Sequence, residues 1–95
     1  MHLFIIAKEI ATRLMEVTRR DIYAGDYGHV KEDFAFAEKW LREGSAFEKI
    51  AIANVFLYSI SNTIDTLGRQ GRKIQDLLPP LLKKEYLIQV YNRGV

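Results

Sequence analysis

Three groups of residues in this chain have the types and spacing to do chemistry. The first is Gly68-Arg69-Gln70-Gly71-Arg72-Lys73. Two glycines let a backbone come close to a ligand, and three cations with a helical turn behind them are the parts of a phosphate or anion site. The pattern is not a P-loop, because Gly71 is followed by Arg72-Lys73-Ile74 and not by the Lys-Ser/Thr pair that grips phosphate and magnesium. Lys83 and Lys84 extend the charge, and Tyr58, Tyr86 and Tyr91 are available for stacking on bases. Arg69, Arg72, Lys73, Lys83 and Lys84 are therefore the candidate nucleic-acid or anion-binding residues. The plainer reading of the same run is a solvated turn between helices.

The second group is Asp26, His29 and Asp33, which share one face of a helix at i, i+3 and i+7. A histidine between carboxylates is a start on a metal site, but a site needs three or four ligands and no second cluster joins it. The plainer reading is an acid-rich first turn, favoured by the positive end of the helix dipole. The third group is the hydroxyls of Ser59, Ser61, Thr63 and Thr66, with no histidine nearby to activate them: the chain has only His2 and His29, and no cysteine. The paired ExxE and ExxD motifs of the helical nucleotide pyrophosphohydrolases do not occur, and Arg19 and Arg20 lie too far before His29 for the Arg–His motif of HEPN-type ribonucleases. The expectation is a protein that is not an enzyme and takes no metal or cofactor.

Charge is distributed unevenly. Residues 1–67 hold eight Lys/Arg against ten Asp/Glu, and residues 68–95 hold six against two. An excess in the last third points to an anionic partner for that part. Lack of cysteine fits a reducing compartment, and the first residues lack a signal peptide's basic leader and long apolar core, so a cytoplasmic location is expected.

The elements that must position these groups read as helices. Over residues 3–24, Leu3, Ala7, Ile10, Leu14 and Val17 form one stripe, with Glu9, Arg13, Glu16 and Arg20 opposite. Glu9–Arg13, Glu16–Arg20 and, further on, Glu38–Arg42 are spaced as i,i+4 ion pairs. Gly25 suits a left-handed helix end, and Asp26 suits the N-cap of a second helix running to Glu43 with the stripe Val30, Phe34, Ala37, Leu41. Gly44 ends it. Ser45 and Glu48 form a capping box for a third helix, Ala46 to about Leu67, stopped by Gly68. A single turn is expected at Ile74–Leu78. Pro79-Pro80 then forbids a continuous helix, and Pro80 starts the last one, from Leu81 to about Arg93, ended by Gly94. Residues 25–44 are similar to the second half of a tetratricopeptide-type hairpin, but no further copy follows at that repeat's spacing, so no repeat array is implied.

The third helix carries Ile50–Ile64, fifteen residues without a charge and apolar on every side. It is too short for a membrane span, at about 1.5 Å per residue against a hydrocarbon core of about 30 Å. It also cannot be a DNA-reading helix, because its early positions are Phe47, Ile50, Ala51 and Ile52. A helix that is apolar all round has to be covered all round. The expected fold is one all-α domain over residues 1–95, a four-helix bundle of two helical hairpins around this third helix. The expected function is a small interaction or adaptor protein that forms a homodimer through helix three, with helix one, whose apolar side is widened by Phe4, Ile5, Ile6, Ala11 and Met15, as a second contact, and with nucleic-acid binding through the basic residues as the alternative. Interface candidates are Ile52, Val55, Phe56 and Ser59, with Phe36 and Trp40 as anchors for a protein partner.

Overall fold

A computed structural model describes residues 2–93, with side chains over residues 4–91. The Leu3 side chain and the Gly94 stop expected above lie outside these residues. The first helix, α1, is His2–Tyr23. It ends as Gly25 takes a positive φ of 71° and the Asp26 N–H returns to the Asp21 carbonyl at 3.0 Å, pairing a carbonyl the helix end would leave orphaned. Asp26 then caps α2, Tyr27–Glu43, accepting the His29 N–H at 3.2 Å. Ser45 and Glu48 form both halves of the capping box, at 3.3 and 2.7 Å, and open α3. That helix runs through Ala46–Ala51, a π-helical stretch Ile52–Leu57, and Tyr58–Thr66 without a break, so α3 spans 46–66.

The next element corrects the four-helix expectation. Gly68, at φ 58°, turns the chain, and Arg69–Asp76 is a full helix, α4, where a basic loop and a single turn were expected. With α5 at Pro80–Arg93 the described residues form five helices, one of them a fusion of three segments, and are all-α. The reason is Gly71. It reads as a turn residue, yet it is buried in α4, and a Cβ there would stand 2.2 Å from the Ile64 carbonyl oxygen. The glycine lets α4 lie directly on the end of α3, so that Ile74, one turn later, enters the core.

α3 is the centre: it packs against α1, α2, α4 and α5. Ile52, Phe56, Leu57 and Ile60 are fully buried, joined by Val30, Phe34 and Ala37 of α2 and by Leu82 and Tyr86 of α5. Phe34 meets Phe56 edge-on at 6.3 Å. Ser61 and Thr63, in the polar second half of α3, are buried with their hydroxyls turned back to the helix's own backbone: Ser61 donates to the Tyr58 carbonyl at 2.8 Å and Thr63 to the Ser59 carbonyl at 3.1 Å. A π-helix leaves carbonyls poorly matched to the i+4 ladder. One of these, Ala53 O, accepts the Gln89 side-chain amide of α5 at 2.7 Å.

The start of α5 is satisfied from across the fold. Pro80 has no N–H, and the Lys83 N–H bonds the Pro79 carbonyl at 2.8 Å. The two remaining orphan donors, the N–H groups of Leu81 and Leu82, go to the two carboxylate oxygens of Glu38 at 3.0 and 2.9 Å. Glu38 is buried, and it is not paired with Arg42, as its spacing suggested. Arg42 instead meets its neighbour Glu43 at 2.9 Å.

Candidate functional site

Helix α1 is rotated from its expected phase. Its buried face is Ala7, Ala11, Thr18 and Ile22, with Leu14 and Met15 beside them. Small residues at 7 and 11 bring the α1 backbone close to its neighbours, and that rotates Ile10 outward to 41% exposure. Ile5 and Ile6 face out with it, at 54% and 41%. Phe36 of α2, tilted on Trp40 at 5.7 Å, closes one side of an open groove with Ile5, Ile10 and Val17. On another flank, Phe4 meets Phe47 of α3 edge-on at 6.2 Å, and Ile50 follows one turn later, also exposed. The groove has a volume of about 970 Å³, within the range of small-molecule sites. Apart from Phe36, however, α1 supplies its whole lining. With one helix for a wall, it is a surface and not an enclosed pocket.

Apolar side chains stand out on both flanks of α1. Phe4, Ile5, Ile6, Ile10, Phe36, Phe47 and Ile50 are each between 36% and 54% exposed. Together they leave roughly 600 Å² uncovered, divided between the Phe36 side of α1 and the Phe4–Phe47 side. Among them stand Lys8, Glu9, Arg13 and Glu16. Among the described residues Asp26 pairs with His29 and Arg42 with Glu43, whereas the expected Glu9–Arg13 and Glu16–Arg20 pairs do not form. A second apolar stripe, Leu81, Leu87, Ile88 and Tyr91, is exposed on α5.

The interface residues expected on α3 are placed differently from one another. Ile52 and Phe56 are wholly enclosed by the chain's own helices and have no surface to offer a second copy. Val55 and Ser59 are half-buried, as is Trp40, while Phe36 is 47% exposed. Ile52 and Phe56 are thus unavailable to a second copy, while Val55, Ser59, Trp40 and Phe36 keep some surface, and further exposed apolar residues lie on α1, at the start of α3 and on α5.

Of the basic residues, Arg69, Arg72, Lys73 and Lys84 are exposed and Lys83 is half-buried. The first three ride on α4, which rests on the end of α3, whereas Lys83 and Lys84 ride on α5, which rests on α2 and α3. The two glycines expected to admit a phosphate serve the fold: Gly68 makes the turn and Gly71 the helix contact.

Asp26 and His29 bond to each other through side chains, which lowers the Asp26 carboxyl and raises the His29 imidazole from their ordinary ranges. Asp33 does not join them. Its Oδ2 is shut off from solvent with no donor facing it. Burial first, and then the facing Asp21 carboxylate, push the Asp33 carboxyl up to about 7, against a smaller opposing pull from Thr18 and His29. Asp33 is therefore the group of the α1–α2 contact whose charge changes near neutral pH. Among the described residues no group of three or more His, Asp or Glu side chains is placed to hold a metal ion.

A pH dependence follows. The folded chain keeps a proton on Asp33 up to about 7, while an unfolded aspartate releases it near pH 4. Stability therefore falls as pH rises through that window. Asp33→Asn is expected to flatten the fall and to raise the melting temperature at pH 8, because the amide donates to Asp21 without needing a proton. Melting curves from pH 4 to 8 check this, and parallel slopes for the two proteins would refute it.

Over residues 3–92 the chain matches the family described as a domain of unknown function (DUF7674). The chain belongs to that family. No curated protein and no solved structure matches it. The family match runs from α1 into α5 and so takes in the patch, the Glu38 cap and the Asp21–Asp33 pair alike.

The sequence reading missed Ile5, Ile6 and Ile10 as surface residues. A signal was present: Ala7 and Ala11, one turn apart, mark a face of close approach, and the larger residues beside them are the ones displaced outward.

Proposed function

We propose that the protein is a small non-enzymatic interaction module that self-associates through the first half of α1, flanked by Phe36, Phe47 and Ile50. The observation that carries this reading is the roughly 600 Å² of apolar surface on the two flanks of α1, close to the about 800 Å² per partner of a standard protein interface once its polar rim is added. This reading shifts self-association from Ile52 and Phe56 of α3, which the chain buries itself, to the helix left partly bare. The stripe on α5 is the second surface an adaptor needs, and it is free for a different partner while α1 is occupied.

Light scattering of three proteins at high micromolar concentration tests this. Wild type is expected at the mass of two chains. Ile5→Glu/Ile10→Glu changes two exposed positions, so the fold should survive and the mass fall to one chain. Ile88→Glu, on the α5 stripe, should keep the two-chain mass. Loss of association in the α5 variant but not in the α1 variant would transfer the interface to α5 and overturn the assignment.

A further inference from the structure

We infer that the outer face of α5 docks an amphipathic helix of another protein, one whose apolar stripe carries a carboxylate opposite Lys84. The inference rests on the adaptor reading above, for which it supplies the partner of the second surface, and not on how α1 associates.

Helix α5 is apolar on two sides. Leu82 and Tyr86 are buried in the core, with Gln89 and Val90 half-buried beside them. A helix turns about 100° per residue, so Leu87, Tyr91, Lys84, Ile88 and Leu81 follow one another across an arc of about 120° on the opposite side. All five are exposed, and four are apolar. Leu81, Lys84, Ile88 and Tyr91 succeed each other at three, four and three residues, the spacing of a seam between two helices. From Leu81 to Tyr91 the seam runs about 15 Å, so a partner helix of three turns covers it.

Lys84 selects the occupant. It stands in the middle of the arc, between Tyr91 and Ile88, and takes no ion pair among the described residues. Glu85 turns toward the inner side of the helix and is half-buried. Under a purely apolar stripe the Lys84 ammonium would lose water and gain no partner, so the covering helix must bring a carboxylate. Residues 68–95, with six Lys/Arg against two acids, attract the same sign at longer range. The same face of a second copy does not serve. In parallel it sets Lys84 on Lys84, and antiparallel it sets Lys84 on Ile88. An α5-on-α1 contact between copies is heterologous and would build rings or filaments, not the two-chain particle proposed above. Helices that lie on a lipid surface keep their lysines at the rim of the apolar face, where they reach water, and here the lysine is at its centre. The ion pair contributes selectivity more than affinity.

Peptide titrations followed by amide NMR shifts test the assignment. The probes are two lactam-locked helices of three turns, with leucines along one stripe and a glutamate at one of its central positions, placed for a partner parallel or antiparallel to α5. Their twins carry lysine for the glutamate. One glutamate helix is expected to shift the amides of residues 81–91 and to bind at least about tenfold more tightly than its lysine twin. Lys84→Glu is expected to reverse that preference, which a misfolded variant could not do, and Ile88→Glu to abolish binding of both. Equal binding of the twins, shifts confined to other helices, or no binding by any probe at millimolar peptide would overturn the inference. So would uptake of the protein by phosphatidylglycerol vesicles that Ile88→Glu abolishes, which would give the face to a lipid surface. The mass of the peptide-free protein reads the α1 association separately: failure of the peptides leaves that association standing, and a monomeric wild type leaves this assignment standing.

Discussion

Glu38→Ala is expected to destabilise the protein by about 3 kcal/mol, the largest effect of any exchange of a single polar side chain here. The carboxylate accepts two backbone N–H groups, from the partly exposed Leu81 and the buried Leu82, at the start of α5. The chain before them is Pro79-Pro80, which supplies neither an N–H nor a capping side chain, and water does not reach Leu82. Charge-assisted hydrogen bonds contribute about 1.5–3 kcal/mol each, and the positive end of the α5 dipole adds to them. For a chain of this length the change corresponds to a fall in melting temperature of roughly 12–24 °C. Glu38→Gln keeps the shape but only one acceptor oxygen, and should lose about half as much. Urea denaturation measures both, and amide exchange at Leu81 and Leu82 localises the loss. A Glu38→Ala protein within about 0.5 kcal/mol of wild type would show that α5 is held by its apolar face alone.

Gly71→Ala is expected to cost about 2–4 kcal/mol, although the substitution adds one methyl group and raises intrinsic helix propensity. The added carbon would stand 2.2 Å from the Ile64 carbonyl oxygen and 3.2 Å from the Ile64 side chain. The near atom is backbone in the last turn of α3, where its carbonyl accepts the Leu67 N–H, and it cannot swing aside as a side chain would. Helix α4 must lift, and Ile74 is drawn out of the core with it. Gly28→Ala serves as the control. It also lies in a helix, but its Cβ would meet nothing nearer than Asp26 Oδ1 at 3.8 Å. That variant should be neutral or stabilised by up to about 1 kcal/mol. Thermal melts of the pair separate steric exclusion at one glycine from the general effect of alanine in a helix; equal shifts would contradict the close contact of α4 on α3.

Helix ends were the most legible part of this chain, because capping chemistry is local. Asp26, the Ser45–Glu48 box, Gly25 and Pro80 all act where their residue types indicate. The α2 stripe was legible too: Val30, Phe34 and Ala37 are fully buried. What failed depended on contacts distant in sequence. Gly71 looks like a turn residue until Ile64 is known to lie against it, and so α4 was read as a loop. Glu38 looks like an i,i+4 partner for Arg42 until the start of α5 arrives beside it. The phase of α1 was set by two alanines whose close approach outweighs the larger apolar residues next to them, and the wrong phase hid Ile5, Ile6 and Ile10 as surface. Ile50–Ile64 reads as a stretch that must be covered all round, yet the chain's own helices leave Ile50 and Tyr58 exposed, because cover depends on packing and not on pattern. The basic residues remain exposed as their types suggest, carried on two helices with different supports.

The central claim is that α1 leaves its first half bare for a second copy of the chain. Sedimentation velocity of the wild-type protein across a dilution series from high to low micromolar tests it most directly. The account predicts the mass of two chains at the top of the series, shifting toward one chain on dilution, with the shift moved to higher concentration by Ile5→Glu/Ile10→Glu. A single-chain mass at every concentration would contradict it.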